Sequence, residues 1–170
     1  MKRAFGLIVG CGALALTACG GEKKAEAPPA AEAPAKLPAG EYEIVSEVTK
    51  LASADKSTPA TKLKQGDKAT TKACVGDDGI PDMAVFVEAG DKCTATSSFA
   101  RAGRLSVQYQ CSRPGHGSLY PNVDGNVTAD GFEAVVNTNT SFSGTGDYQL
   151  SRHLTGKRIG NCPASGAPKA

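Results

Sequence analysis

"VDGNVTADGFEAVVNT", residues 123–138, is the stretch that decides the fold. Val123, Val127, Phe132, Ala134 and Val136 take one face of an extended chain, and Asp124, Asn126, Thr128, Glu133 and Asn137 the other. A period of two with one apolar face is the pattern of a half-buried antiparallel strand. Asp130-Gly131, in the middle, reads as a two-residue hairpin turn. That turn pairs Ala129 with Phe132 and Val127 with Ala134, and turn and pattern agree on one face.

Similar segments lie on both sides. In "CTATSSFARAGRLSVQYQC", residues 93–111, Cys93, Ala95 and Phe99 share a face, as do Leu105, Val107, Tyr109 and Cys111 on the return, with Ala102-Gly103 near the turn. In "EYEIVSEVTKL", residues 41–51, Tyr42, Ile44 and Val48 point one way and Glu41, Glu43, Glu47 and Thr49 the other; Val45 breaks the pattern. Residues 60–75 read as a Thr-rich strand interrupted at Gly66-Asp67. After a turn at 143–147, "YQLSRHLTG" points Tyr148, Leu150 and Leu154 inward. The same alternation puts Arg152 on the inward face. A buried Arg needs a partner, so the reading favours a sheet rim or a bulge there over a polar cavity floor.

Residues 77–91, "DDGIPDMAVFVEAGD", are the one helix candidate. Pro81 suits a first turn, Asp82 suits the N-terminal dipole, Gly90 suits a stop, and Met83, Phe86 and Val87 form one stripe. The Val-Phe-Val run leaves a strand open. The expectation is a mainly β protein: an antiparallel meander of about seven strands, a curled sheet or partial barrel, with one short helix.

The N-terminus carries a different message. Met1-Lys2-Arg3 is basic, Ala4 to Ala15 is apolar, and no acid precedes Glu22. The run is shorter than the roughly 20 residues of a membrane span and suits a secretory signal. Leu16-Thr17-Ala18-Cys19 resembles the bacterial lipoprotein signal, in which the cysteine is lipidated and becomes the mature N-terminus. Each buried methylene contributes about 0.8 kcal/mol, so two or more acyl chains anchor stably. The resemblance implies a signal over 1–18 and a lipid anchor at Cys19. Gly20 stands where an Asp would hold such a protein in the inner membrane, so it implies the outer membrane, facing the periplasm. Cys11 falls within the signal. Residues 19–38, rich in Ala, Pro, Glu and Lys, read as anchor and tether. Residues 39–162 read as one disulfide-stapled β domain, and 163–170 as a loose tail.

Charge narrows the partners. The chain has 19 Lys and Arg against 17 Asp and Glu, and losing Lys2 and Arg3 with the signal leaves 17 of each. A neutral chain has no electrostatic case for nucleic acid. Four cysteines remain in the domain, Cys74, Cys93, Cys111 and Cys162. In an oxidising envelope an even count reads as two disulfides. No Cys-x-x-Cys pair exists and no His sits at ligand spacing from a Cys, so neither a metal nor a cofactor is expected.

Candidate chemistry is sparse. "RPGHGSLYP", residues 113–121, gathers Arg113, His116, Ser118 and Tyr120 in a Pro/Gly-rich connection, the best loop for a ligand or partner. The favoured reading is nonetheless a plain, long hairpin connection. His116 with Ser118 is not a triad signature. His153 falls on a polar face. Asp77, Asp78 and Asp82 lack the spacing of a calcium loop and suit the start of a helix. Asn126-Val127-Thr128 and Asn139-Thr140-Ser141 match a glycosylation pattern by chance.

Together these residues resemble the family of small envelope proteins known as domain of unknown function 3617. The resemblance rests on Pro38-Ala39-Gly40-Glu41-Tyr42-Glu43, Thr70-Thr71-Lys72-Ala73-Cys74-Val75, Lys92-Cys93-Thr94, Tyr109-Gln110-Cys111, Asp130-Gly131 and the ending Gly156-Lys157-Arg158-Ile159-Gly160-Asn161-Cys162. It spans about 38–162. Many members have Trp where Tyr42 stands and are rich in Met late in the chain. Here only Met1 and Met83 occur, which leaves no basis for a soft-metal site. The resemblance implies a location and a fold, and no activity.

Four cysteines allow three pairings. Cys74–Cys93 with Cys111–Cys162 is preferred, since it clips 77–90 to the sheet and ties down the C-terminus. Cys93–Cys111 with Cys74–Cys162 is the runner-up. The functional expectation is a membrane-anchored, non-enzymatic binding or structural module that takes a small ligand, a lipid or an envelope protein. The alternative is an inhibitor of a periplasmic enzyme such as a lysozyme. A hydrolase using His116 ranks last.

Overall fold

A computed structural model describes residues 34–163. Cys19, the signal and most of the tether and tail lie outside the described residues. Seven antiparallel strands form one open sheet: β1 (Gly40–Ser53), β2 (Lys68–Val75), β3 (Lys92–Arg101), β4 (Arg104–Arg113), β5 (Gly117–Val127), β6 (Gly131–Phe142) and β7 (Tyr148–Gly160). Their order is β2-β1-β7-β6-β5-β4-β3, so β2 and β3 are the two edges. The sheet is mainly β as expected, and it does not close into a barrel.

The helix expectation fails. Residues 77–91 hold one 3-10 turn, Met83–Val85, capped by Asp82, whose side chain accepts from the Ala84 amide. The physical reason is topology. Because β2 and β3 lie at opposite edges, residues 76–91 must cross the inner face of the sheet in extended or tightly turned form. Val85 and Phe86 are buried in the crossing, and Phe86 meets Tyr109 of β4 with ring centroids 6.2 Å apart.

The inner face follows the alternation read from the sequence. Tyr42, Ile44, Val48, Leu105, Val107, Val123, Val127, Phe132, Val136, Tyr148, Leu150 and Leu154 are all buried in one cluster. Leu37, at the end of the segment read as tether, is buried with them. Phe99, placed with the inward residues of its strand, is instead exposed on edge strand β3, where the register shifts between Ala95 and Ser97.

Two turns came out differently. Ala102 and Gly103 both adopt positive φ, and Arg101 pairs with Arg104, so the β3–β4 hairpin turns at the expected place, through two residues. At Asp130-Gly131 the turn is longer: Val127 pairs with Phe132, and Gly125 with Ala134. The register lies two residues from the one expected, which preserves every face. Gly131 does not adopt positive φ. It is needed because a Cβ there would strike the Gly156 carbonyl of β7. Gly156 in turn has the Phe132 ring directly over it. The second strand also begins late: residues 54–67 are a loop, and only Lys68–Val75 pair.

The bridges are Cys74–Cys162 and Cys93–Cys111, the runner-up pairing. Cys74 and Cys93 lie on opposite edges of the sheet, which rules out the preferred one. Cys93 and Cys111 face each other across the β3–β4 ladder with Cα atoms 4.0 Å apart. Cys74 pairs with Glu41, which also pairs with Gly160 of β7, bringing Cys162 within 5.6 Å.

Candidate functional site

The crossing segment carries carbonyls that no strand can satisfy, and Arg152 of β7 answers them. It donates through Nη1 to Val85 O at 3.4 Å and through Nη2 to Phe86 O. Arg152 is only 8% exposed, so it is neither at a rim nor turned out by a bulge. Its strand is regular here; the irregularity falls on β1 opposite, between Val48 and Lys50. The polar-floor reading, set aside on the sequence, is the one the structure adopts. Burial lowers the Arg152 pKa from its ordinary value, and Glu88 opposes that shift. Among the described residues its Nε has no hydrogen-bond partner, and no carboxylate lies within 4.0 Å of the guanidinium.

Arg113 behaves in the opposite way. Its Nε and Nη2 grip Asp91 at 2.7 and 2.8 Å, Nη2 also lies 3.2 Å from Glu88, and Nη1 donates to Ala60 O. The guanidinium sits 5.9 Å from the ring centroids of both Phe142 and Tyr148. The Asp91 hydrogen bonds raise its pKa above the ordinary arginine value. Arg113 thus ties β4 to the end of the crossing segment and to loop 54–67. Glu88 also accepts from Tyr148 and, at 2.5 Å, from Thr61. Burial, then the bond to Glu88, pushes the Tyr148 pKa up.

Between this network and loop 54–67 lies a cavity of about 640 Å³. Leu63, Val87 and Ala89 supply apolar wall; Lys62, His116 and Arg152 supply nitrogen. A smaller cavity, about 290 Å³, lies between β1, β2 and the 3-10 turn and shares Leu63 and Arg152 with the first. Of the four loop candidates, Arg113 and His116 line the larger cavity. Ser118 and Tyr120 do not. They belong to β5, at positions alternating with the buried Leu119, Pro121 and Val123, and Tyr120 is exposed. Among the described residues no hydrogen bond joins His116 to Ser118. Asp78 and Asp82 cap turns by accepting from Ile80 and Ala84.

Glu88, Lys62 and Asp91 were missed on the sequence. Their loops have no period, so nothing in the pattern placed them near Arg113. The one signal available was Arg152 itself, a charge at an inward position.

A family model described as "Protein of unknown function (DUF3617)" matches residues 37–162. The chain belongs to this family. The DUF3617 match opens at Leu37, a core residue of the described domain, and closes at the bridged Cys162. It takes in both disulfides, the crossing segment and every residue of the cavity. No curated protein and no solved structure matches the chain.

Proposed function

We propose that this DUF3617 chain is a lipid-anchored, non-enzymatic binding module of the bacterial envelope. It faces the periplasm, from the outer membrane, and takes a small ligand in the cavity beside Arg152. The observation that carries the reading is that cavity. About 640 Å³ is the size of a small-molecule site, and its mixture of apolar wall with a few converging polar groups is that of a binding pocket. Cys19, after the apolar run 4–15, supports the anchor. An inhibitor would call for a rigid protruding loop; residues 113–121 instead end β4, turn, and enter β5.

Two measurements on envelope-derived protein test the proposal. Intact mass should give an N-terminus at Cys19 carrying acyl groups, and a mature N-terminus elsewhere without acyl mass would remove the anchor. Native mass spectrometry of the Cys19→Ser chain should show a retained small molecule that is lost on Ala89→Trp, a bulky change at an exposed residue lining the cavity. A ligand-free protein, or retention unaffected by Ala89→Trp, would count against the site.

A further inference from the structure

Building on the cavity as a ligand site, we propose that its ligand is an amphiphile with a single anionic head, held by Arg152, with its apolar body against Leu63 and Val87.

The argument starts from an imbalance of charge. A guanidinium has five N–H donors. Arg152 uses Nη1 and Nη2 on two backbone carbonyls, and its Nε–H finds nothing. A buried cation left without a counterion is costly, and a charge-assisted bond to an anion relieves that cost. The two carboxylates in the neighbourhood are already committed. Asp91 is held by Arg113. Glu88 is held by Arg113, Tyr148 and Thr61, and reaches Arg152 only at long range. Neither can turn to Arg152 without leaving Arg113 short.

The rim adds to the imbalance. Lys62 lines the same cavity, is exposed, and makes no ion pair among the described residues. His116 lines it too. The site therefore presents one buried and one exposed cation, neither in an ion pair among the described residues, next to apolar wall. A small inorganic anion would leave Leu63, Val87, Pro59 and Ala89 facing water. A neutral lipid would leave Arg152 uncompensated. An acyl or alkyl chain ending in one carboxylate or phosphate satisfies both halves.

The test uses the mature chain, residues 19–170, carrying Cys19→Ser, so that neither the signal nor an acyl group calls for detergent that would compete for the cavity. Calorimetric titration compares dodecanoate, dodecyl phosphate and dodecan-1-ol. The expected result is that at least one anionic probe binds about tenfold or more tightly than the alcohol. The ranking of carboxylate and phosphate identifies the head. Arg152→Met should erase the preference for the anion, and Lys62→Glu, an exposed change that leaves the fold alone, should weaken dodecanoate severalfold. Should Arg152→Met fail to fold, Lys62→Glu and the probe comparison in the parent chain still decide. Equal binding of alcohol and acid would overturn the anionic head while leaving the cavity as a binding site. Binding of none of the three would overturn both.

Discussion

Across β5, β6 and β7 the inner face is apolar at most alternate positions, Thr138 and Arg152 being the exceptions, with Val123 opposite Val136 and Phe132 lying over Gly156. Toward loop 54–67 the same inner face meets its cover through Arg152, Arg113, Glu88 and Asp91. The first region is sealed by shape alone. The second is held by directional bonds, and directional bonds leave gaps: both cavities lie there, and both touch Arg152. The difference teaches that one sheet can devote its centre to stability and its covered margin to binding.

The largest expected effect breaks the apolar side. Phe132→Ala removes a ring that is 1% exposed and packs 6.3 Å from Tyr42. It should cost about 3–5 kcal/mol in denaturant unfolding, and a loss below 1 kcal/mol would show that this face does not hold the domain.

The polar side breaks differently. Arg113→Met leaves Asp91, whose side chain is 3% exposed, and Glu88 without their cation. The expected cost is about 3 kcal/mol. It should be local first: in hydrogen exchange, amides of 54–67 and 76–91 should lose protection while β5 to β7 keep theirs. Uniform loss across the sheet would erase the distinction between the two regions.

The same split explains what the sequence revealed. Where packing is apolar and periodic, much of it was legible to the residue: Tyr42, Ile44, Val48, Leu105, Val107, Tyr109, Val123, Val127, Phe132, Ala134, Val136, Tyr148, Leu150 and Leu154 were read as inward from alternation and are buried. The turn near Ala102-Gly103 was legible because Gly103 suits positive φ, although Ala102 adopts it too. Asp130-Gly131 misled because glycine serves two purposes, and here Gly131 admits the close approach of β7 rather than a tight turn. The crossing segment was read as helix because its caps and stripe are real; only sheet order, a long-range property, forbids it. The polar network was illegible because its members are joined across as many as 67 residues of sequence, as Arg152 is to Val85.

Smaller effects come from titration. Burial, helped by Asp82 and Asp78, raises the Tyr109 pKa to about 12 from an ordinary 10.0. The unfolded chain releases that proton first, so above pH 10 the unfolded state binds fewer protons and stability falls as pH rises toward 12. Tyr109→Phe should flatten part of this alkaline loss. An unchanged pH profile would mean that Tyr109 titrates freely.

The smallest effect concerns loop 54–67. Asp55 accepts from Ser57, Gly146 and Asp147, and these bonds, Ser57 first, hold its carboxyl well below the usual carboxylate range. Its contribution is present above the ordinary value of 3.8 and is lost as pH falls below it. Asp55→Asn should therefore weaken the parent's loss of stability in acid, read by melting between pH 5 and pH 2, and an identical acid limb would remove Asp55 from the account.

The most direct test is an amide chemical-shift titration of the Cys19→Ser chain with dodecanoate. Binding at the covered margin predicts shifts concentrated at 60–63, 87–89, 116 and 152, with 123–136 unmoved. Shifts centred on the exposed edge strand β3 or along β5 and β6, or none at saturating probe, would contradict it.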